Sequence, residues 1–424
     1  MNSLFEDLQW RGLVYGSTEG TRDLLARQKV VAYVGFDPTA SSLHVGTLLP
    51  ILALVRLQKF GHSPIAVVGG GTGLIGDPSG KTVERTLLTT EQVEANVAGI
   101  YAQLERFIDF NSKANPARLV NNAEWLTKLN AMAFLRDVGK YFTVNYMLAK
   151  ESVKRRVEGE DGISYTEFSY LLLQAYDFLV LYDRFNCVFQ MGGSDQWGNI
   201  VAGCDLIRKL RAAPGYGLVM PLLTTAAGTK VGKSEAGTVW LDPERTSPFR
   251  FYQFWLNVDD RDAGSYLKYF TFLGKDEIAG LERATAEQPE KREAQRRLAR
   301  EVTTMVHGAD QVGRAERAAG VLFGGSLADA ALEDILMVFD DVPSVTVSVK
   351  ALEPGMAAAE LAVTSGLAGS KGEATRLIRQ GGLYVNDRRL TDERGRIGLD
   401  DAIGKKVIVL RKGQRERRLV RIEG

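Results

Sequence analysis

The first 225 residues predict an α/β fold, a Rossmann-like parallel sheet covered by helices that takes its ligand at the carboxyl ends of the strands. Three observations carry this. Short β-rich runs alternate with longer amphipathic segments, glycines and carboxylates gather just after the runs, and one helix opens on a histidine behind a strand and a turn.

The strands are expected at 30–37, 64–70, 117–122, 187–192 and 216–223, where Val, Ile, Phe and Tyr dominate. Apolar side chains at helical spacing place helices at 45–60, 91–110, 124–138, 147–157, 166–185 and 196–211. Asp37, the glycines of 69–73, Asn121-Asn122 and the segment 192–195 then all fall just after strands. From 248 to 324 the pattern is wholly helical, with Gly308 capping the segment KREAQRRLAREVTTMVH of 291–307. Residues 325–349 show little periodicity and are expected to be a linker. The last part, 350–424, is a small α+β domain with a helix at 370–380, a strand at 383–386 and a hairpin of 407–410 with 419–422 around Gly413-Gln414. Residues 226–247 are a loop and connection.

Composition narrows the class. The chain has 424 residues, 45% of them apolar and 25% charged, as in ordinary globular proteins. The net charge of +1 hides an asymmetry: residues 351–424 carry 15 Lys/Arg against 10 Asp/Glu, the rest 38 against 42. A basic tail on a slightly acidic body points toward nucleic acid. Two cysteines, Cys187 and Cys204, lie in apolar stretches and fit a reducing, cytoplasmic setting rather than a disulfide framework. Three histidines without Cys-x-x-Cys spacing argue against a protein-bound metal. Residues 1–11 mix Glu6, Asp7 and Arg11 with apolar groups, unlike a secretory leader, and no apolar run approaches membrane-spanning length.

Two segments suggest a polyphosphate site. His44-Val45-Gly46-Thr47 opens a helix, where an imidazole and exposed backbone donors suit an anion. Lys230-Val231-Gly232-Lys233-Ser234 offers two lysines in a polar loop. Two other matches are rejected. Gly71-Thr72-Gly73-Leu74-Ile75-Gly76 has dinucleotide-binding spacing, but Asp77-Pro78 follows where a helix must begin. The segment around Gly80-Lys81-Thr82 imitates a phosphate-binding P-loop, yet position 75 is Ile where that motif needs Gly. The helix at 166–185 is apolar almost all round, so Tyr170, Gln174 and Asp177, on one face at i, i+4 and i+7, form a buried polar wall. A buried carboxylate is costly unless paired, and a small polar substrate would pair it. In the tail, Arg376, Arg379, Arg411, Lys412, Arg415, Arg417 and Arg418 gather on one small unit, a surface suited to backbone phosphates.

These stretches resemble the class I aminoacyl-tRNA synthetases, and among them the bacterial tyrosyl-tRNA synthetases. His44-Val-Gly-Thr and Lys230-Val-Gly-Lys-Ser are similar to that family's two signature motifs. Tyr33-Val-Gly-Phe-Asp37-Pro-Thr39, Gly76-Asp77-Pro-Ser-Gly, Phe168 to Asp177 and Gly192-Gly-Ser-Asp195-Gln196-Trp-Gly-Asn resemble its further motifs, and 370–386 resembles a small RNA-binding domain. Thr47 departs where the family usually has a second histidine, as does Val231-Gly232 within the lysine loop. The resemblance implies activation of tyrosine by ATP, Mg²⁺ entering with ATP, and transfer to tRNA(Tyr) by a homodimer whose helices at 248–324 lie on the anticodon side. It implies roles at the polyphosphate for His44, Thr47, Lys230, Lys233, Lys81 and Arg85. It places Tyr33 and Asp177 at the substrate phenol and Asp77, Tyr170, Gln174 and Gln190 at the ammonium side. Gly35, Asp37, Thr39, Gly46, Gly193 and Asp195 would face ATP with His44 and Lys233. A tryptophanyl enzyme of the same fold, and a catalytically silent synthetase-like RNA-binding protein, are the competing readings.

Overall fold

A computed structural model describes residues 3–79, 86–159, 162–226, 228, 231–234, 237–322, 327, 332–339, 342–413 and 416–423. The chain divides into two compact units, Met1–Thr246 with Phe254–Val306, and Ser247–Gln253 with His307–Gly424.

The first unit begins with α1 (Leu4–Trp10), β1 (Gly16–Ser17), α2 (Thr21–Arg27), β2 (Val31–Phe36), α3 (Val45–Lys59), β3 (Ser63–Val68), α4 (Thr90–Leu104) and β4 (Arg118–Asn121). It continues through α5 (Ala123–Leu126), α6 (Ala131–Asp137), α7 (Val144–Leu148), α8 (Glu151–Val157), α9 (Tyr165–Phe185), β5 (Cys187–Gly193), α10 (Trp197–Arg211) and β6 (Tyr216–Met220). The strands form one sheet in the order β1-β6-β5-β2-β3-β4, parallel except for β1. β2 and β3 are apolar along almost their whole length because helices cover both faces of a parallel sheet. From β2 the chain winds outward to β3 and β4, then returns to the other side of β2 with β5 and β6. That reversal opens a crevice beyond the carboxyl ends of β2 and β5.

Local chemistry explains where the elements depart from the expected bounds. The segment expected as one helix at 124–138 is two, because Asn130 is extended and its side chain accepts from the Ala133 N–H, starting α6 afresh. The helix at 147–157 breaks likewise at Lys150, whose backbone is extended. β6 ends at Met220, before Pro221, which has no N–H to give a neighbouring strand.

Beyond the sheet come two short paired strands, β7 (Lys233–Ser234) and β8 (Gly237–Thr238), then α11 (Pro248–Leu256), α12 (Asp260–Phe270), α13 (Lys275–Glu287) and α14 (Glu293–His307). Gly308, at φ +90°, ends α14 in the left-handed region, as its position in the sequence suggests. Arg56 on α3 is fully buried and donates to the carbonyls of Tyr269 and Thr271, capping α12.

The second unit holds α15 (Ala309–Leu322), α16 (Leu332–Val338), β9 (Ser344–Ser348), α17 (Val349–Leu352), β10 (Met356–Ala357), α18 (Ala358–Thr364), α19 (Lys371–Arg379), β11 (Leu383–Val385), β12 (Arg388–Arg389), β13 (Arg396–Ile397), β14 (Val407–Lys412) and β15 (Glu416–Glu423). Its main sheet runs β12-β11-β14-β15-β9. The stretch 325–349, expected as a linker, therefore contributes a helix and an edge strand, β9 pairing in parallel with β15. Only Val347 of β9 is fully buried, so five residues gave too short an apolar alternation to stand out. α19 starts at Ser370, whose hydroxyl accepts from the Glu373 N–H.

Candidate active site

A cavity of about 380 Å³ occupies the crevice at the ends of β2 and β5. Tyr33, Gly35, Asp37, Thr39, His44, Gly46, Thr47, Asp77, Tyr170, Gln174, Asp177, Gln190, Gly193 and Asp195 all line it. The fold thus brings together residues from 33 to 195. Lys81, Arg85 and Lys230 lie outside the described residues, as does the side chain of Lys233.

One end is walled by α9 and β2. Asp177 is buried, and its two oxygens accept from Asn122 Nδ2 at 2.9 Å and Trp125 Nε1 at 2.7 Å. Burial pushes its carboxyl up to about 7, against the pull of those two bonds and with help from the charge on Asp37. The Tyr33 hydroxyl is buried beside it without a hydrogen-bond partner, and burial raises that phenol well above its ordinary range. Gln190 Oε1 is also buried and unpartnered. Such atoms cost free energy unless something binds them.

The middle of the cavity is a polar network. Asp77 accepts from Gln196 Nε2 at 2.7 Å and from the Ser79 N–H at 2.9 Å. Gln174 donates to Gln196 at 3.2 Å and accepts from Asn199 at 3.0 Å. Asn122 ties this region to the sheet: it donates to Thr72 Oγ1 as well as Asp177, and Thr72 in turn donates to Asp37 at 3.1 Å. Tyr170 donates to the same Asp37 carboxylate at 3.1 Å.

The other end is the start of α3. His44 is its N-cap, and Nδ1 accepts from the Gly46 N–H at 3.0 Å. That bond leaves the proton of a neutral ring on Nε2, which can donate. Thr47 closes the turn: its hydroxyl accepts from the His44 N–H at 3.0 Å and donates to the His44 carbonyl at 2.7 Å. The hydroxyl proton expected at the polyphosphate is here given to the helix cap.

The two signature segments lie against each other. Val45 N–H donates to Val239 O at 3.0 Å, Leu241 N–H to Leu43 O at 2.9 Å, and Val239 N–H to Gly232 O at 2.9 Å. Gly232 is at φ +89°, and a Cβ there would come within 3.0 Å of the Gly46 nitrogen. A glycine is therefore needed where the lysine loop meets the helix start.

Residues 25–324 match the family described as tRNA synthetases class I (W and Y), and residues 334–420 match the tyrosine–tRNA ligase SYY-like C-terminal domain. The tyrosine–tRNA ligase of Roseiflexus castenholzii is 57% identical over 423 residues, covering 100% of both chains. The chain belongs to the class I tyrosyl-tRNA synthetases. The tyrosine–tRNA ligase of Geobacillus stearothermophilus is 52% identical over 99% of each chain. Among solved structures, a C-terminally truncated mitochondrial tyrosyl-tRNA synthetase of Aspergillus nidulans superposes with a TM-score of 0.69 at 32% identity, covering 76% of this chain and 95% of that one. Full-length likeness to tyrosine–tRNA ligases favours neither the tryptophanyl nor the silent reading.

Several residues of this synthetase site were given no individual role from the sequence. Asn122 and Trp125 hold Asp177 from more than 50 positions away. Gln196 and Asn199 complete the network around Gln174. Asn122 had a faint signal, its place just after a strand. Trp125 had none.

In the tail, Arg379 pairs with Glu393 at 2.6 Å and Lys412 with Glu373 at 2.9 Å. Arg411 stacks on Tyr384 at 3.8 Å and reaches Asp387, and Arg418 lies 3.3 Å from Glu416. Arg376 is exposed, Arg417 partly so, and Arg415 lies outside the described residues.

Proposed function

We propose that the cavity holds tyrosine with its phenol between Tyr33 and Asp177 and its ammonium toward Asp77, Tyr170, Gln174 and Gln190, and that ATP lies along Gly35, Asp37, Thr39, His44, Gly46, Gly193 and Asp195. The chain activates L-tyrosine with ATP and transfers it to the 3′-terminal ribose of tRNA(Tyr). One observation carries the placement: the buried, unpartnered Tyr33 hydroxyl beside the Asp177 carboxylate, in the lining of the cavity. A ligand phenol can bond to both, whereas a phenylalanine ring would leave the Tyr33 hydroxyl unpaired and give the buried Asp177 carboxylate nothing beyond Asn122 and Trp125.

In the first step a tyrosine carboxylate oxygen bonds to the α-phosphorus of ATP while the bond to the β-phosphate oxygen breaks, releasing pyrophosphate. The nucleophile is already ionised, so no general base is needed. Catalysis rests on alignment and charge stabilisation. His44 Nε2, at the positive end of the α3 dipole, faces the developing charge, and Lys230, Lys233, Lys81 and Arg85 neutralise the leaving pyrophosphate. Mg²⁺ enters with ATP as part of the substrate; among the described residues no group of three His, Cys, Asp or Glu side chains is disposed to hold a metal. In the second step the terminal ribose hydroxyl attacks the tyrosyl carbonyl and AMP leaves.

The helices of 248–324 and the basic tail, with Arg376, Arg379, Arg411, Lys412, Arg415, Arg417 and Arg418, take the tRNA. A homodimer fits the apolar side chains that α6 and α7 expose, Met132 at 76%, Leu135 at 50% and Val144 at 60%. The cytoplasm is the proposed location; the described residues contain no helix long and apolar enough to cross a membrane. ATP–pyrophosphate exchange with tyrosine, phenylalanine and tryptophan side by side tests the reading. Exchange with tyrosine alone is expected. Preference for tryptophan would overturn the assignment of the phenol pocket, and no exchange with any of the three would favour a silent binding protein.

A further inference from the structure

Helix α4 lies along the loop 38–43 that leads from β2 to the start of α3. Three of its residues, Asn96, Gly99 and Gln103, stand at i, i+3 and i+7 and so share a face. Asn96 Nδ2 donates to the Pro38 carbonyl at 2.9 Å. Gln103 Oε1 accepts from the Leu43 N–H at 2.8 Å, and its Nε2 donates to Ser42 Oγ at 2.9 Å. Between them, a Cβ on Gly99 would lie 2.0 Å from the Ser41 carbonyl oxygen. The obstructing atom is backbone, so only glycine permits this approach. The loop is held at its start, middle and end. It connects Asp37 to His44, two groups assigned to the nucleotide.

We propose that Asn96, Gly99 and Gln103 are positioning residues for ATP, a clamp that sets the distance and direction between Asp37 and His44 without touching substrate. Nothing in the sequence marks them, since none carries charge or belongs to a signature motif. The clamp acts through backbone. Gln103 satisfies an N–H one residue before the His44 cap, and that cap orients the imidazole. The proposal rests on the reading that residues 37–46 face ATP.

The test is steady-state ATP–pyrophosphate exchange by the full chain, varying ATP and tyrosine separately, with melting temperatures measured alongside. Gln103→Leu removes both hydrogen bonds at similar volume and is expected to raise KM for ATP about tenfold while KM for tyrosine stays within about twofold. Gln103→Glu keeps an oxygen for the Leu43 N–H, and the Ser42 hydroxyl, which here donates to the Leu43 carbonyl, can turn to donate to the other, so it is expected to recover part of the loss. Gly99→Ala should move KM for ATP in the same direction as Gln103→Leu. Unchanged KM for ATP in Gln103→Leu would overturn the clamp, and so would KM values for both substrates rising together with a fall in melting temperature. His44→Ala separates the two levels of the argument. If it abolishes exchange while Gln103→Leu behaves as wild type, the clamp alone fails; if His44→Ala exchanges normally, the placement of ATP fails with it.

Discussion

The two ends of the cavity are built by different means. At the tyrosine end, Asp177, Tyr33 and Gln190 are buried side chains on α9, β2 and β5, fixed by packing and by partners such as Trp125. At the other end, where the nucleotide is proposed to lie, the groups are the His44 cap of α3 and a loop that meets the helix start at Gly232. In the proposed placement the first end reads one hydroxyl, a task that needs rigid, desolvated, uniquely placed atoms. The second handles charge that grows during reaction, so it needs donors and cations aimed at that charge. Selectivity and rate should therefore separate by region.

The largest effect expected is at the nucleotide end. His44→Ala removes an oriented donor and should lower kcat for exchange by roughly 10²–10³-fold, leaving KM for tyrosine near its original value. Stopped-flow adenylate formation at saturating tyrosine checks it. A rise in KM for tyrosine of similar size would mean that the two ends are not separable.

A middle-sized effect sharpens the contrast from the other side. In the proposed placement ionised Asp177 accepts the substrate hydroxyl, and burial, outweighing the bonds from Asn122 and Trp125, pushes its carboxyl up to about 7. Below that pH a proton must leave before tyrosine binds, so KM for tyrosine should rise up to about tenfold for each unit of acidification and level off above 7. The same group has a stability signature. Its folded-state value lies above its unfolded one, so between about 4 and 7 the folded chain holds the extra proton, and the ligand-free protein loses this contribution as pH rises through that window. Asp177→Asn should flatten the pH profile and cut tyrosine-over-phenylalanine discrimination about tenfold, because a neutral acceptor replaces a charged one. A flat profile in the unaltered chain would remove Asp177 from the phenol.

How much of this was legible in the sequence follows the same division. β2, β3, β5 and α9 were readable because buried parallel strands and a buried helix are long apolar runs. The polar face of α9 stood out against that background. Asn122 and Trp125 did not, because their contact with Asp177 spans 55 and 52 positions and exists only after the sheet forms. β9 escaped notice as a five-residue edge strand, and the break before α6 was hidden by apolar residues on both sides of Asn130. Asp37 and Asp195 were readable from motif and position, but not the dependence of the Asp37 loop on α4, which is made of uncharged contacts to backbone.

The smallest effect is expected at Thr47, which divides a capping role from a catalytic one within a single turn. Its hydroxyl both accepts from and donates to the backbone of His44, so its one proton, the part that could bind an anion, is spent on the helix start. Thr47→Ala should lower stability by about 1 kcal/mol, as loss of a capping side chain does, while kcat for exchange stays within about twofold. Thr47→Ser, which keeps the hydroxyl, should restore the stability. Urea denaturation of the three proteins, paired with exchange rates at saturating substrates, decides the point. A tenfold loss of kcat at unchanged stability would place the hydroxyl on the nucleotide. In that case the tight cap seen at His44 would have to open during the reaction, and the nucleotide end would depend on movement where the tyrosine end depends on rigidity.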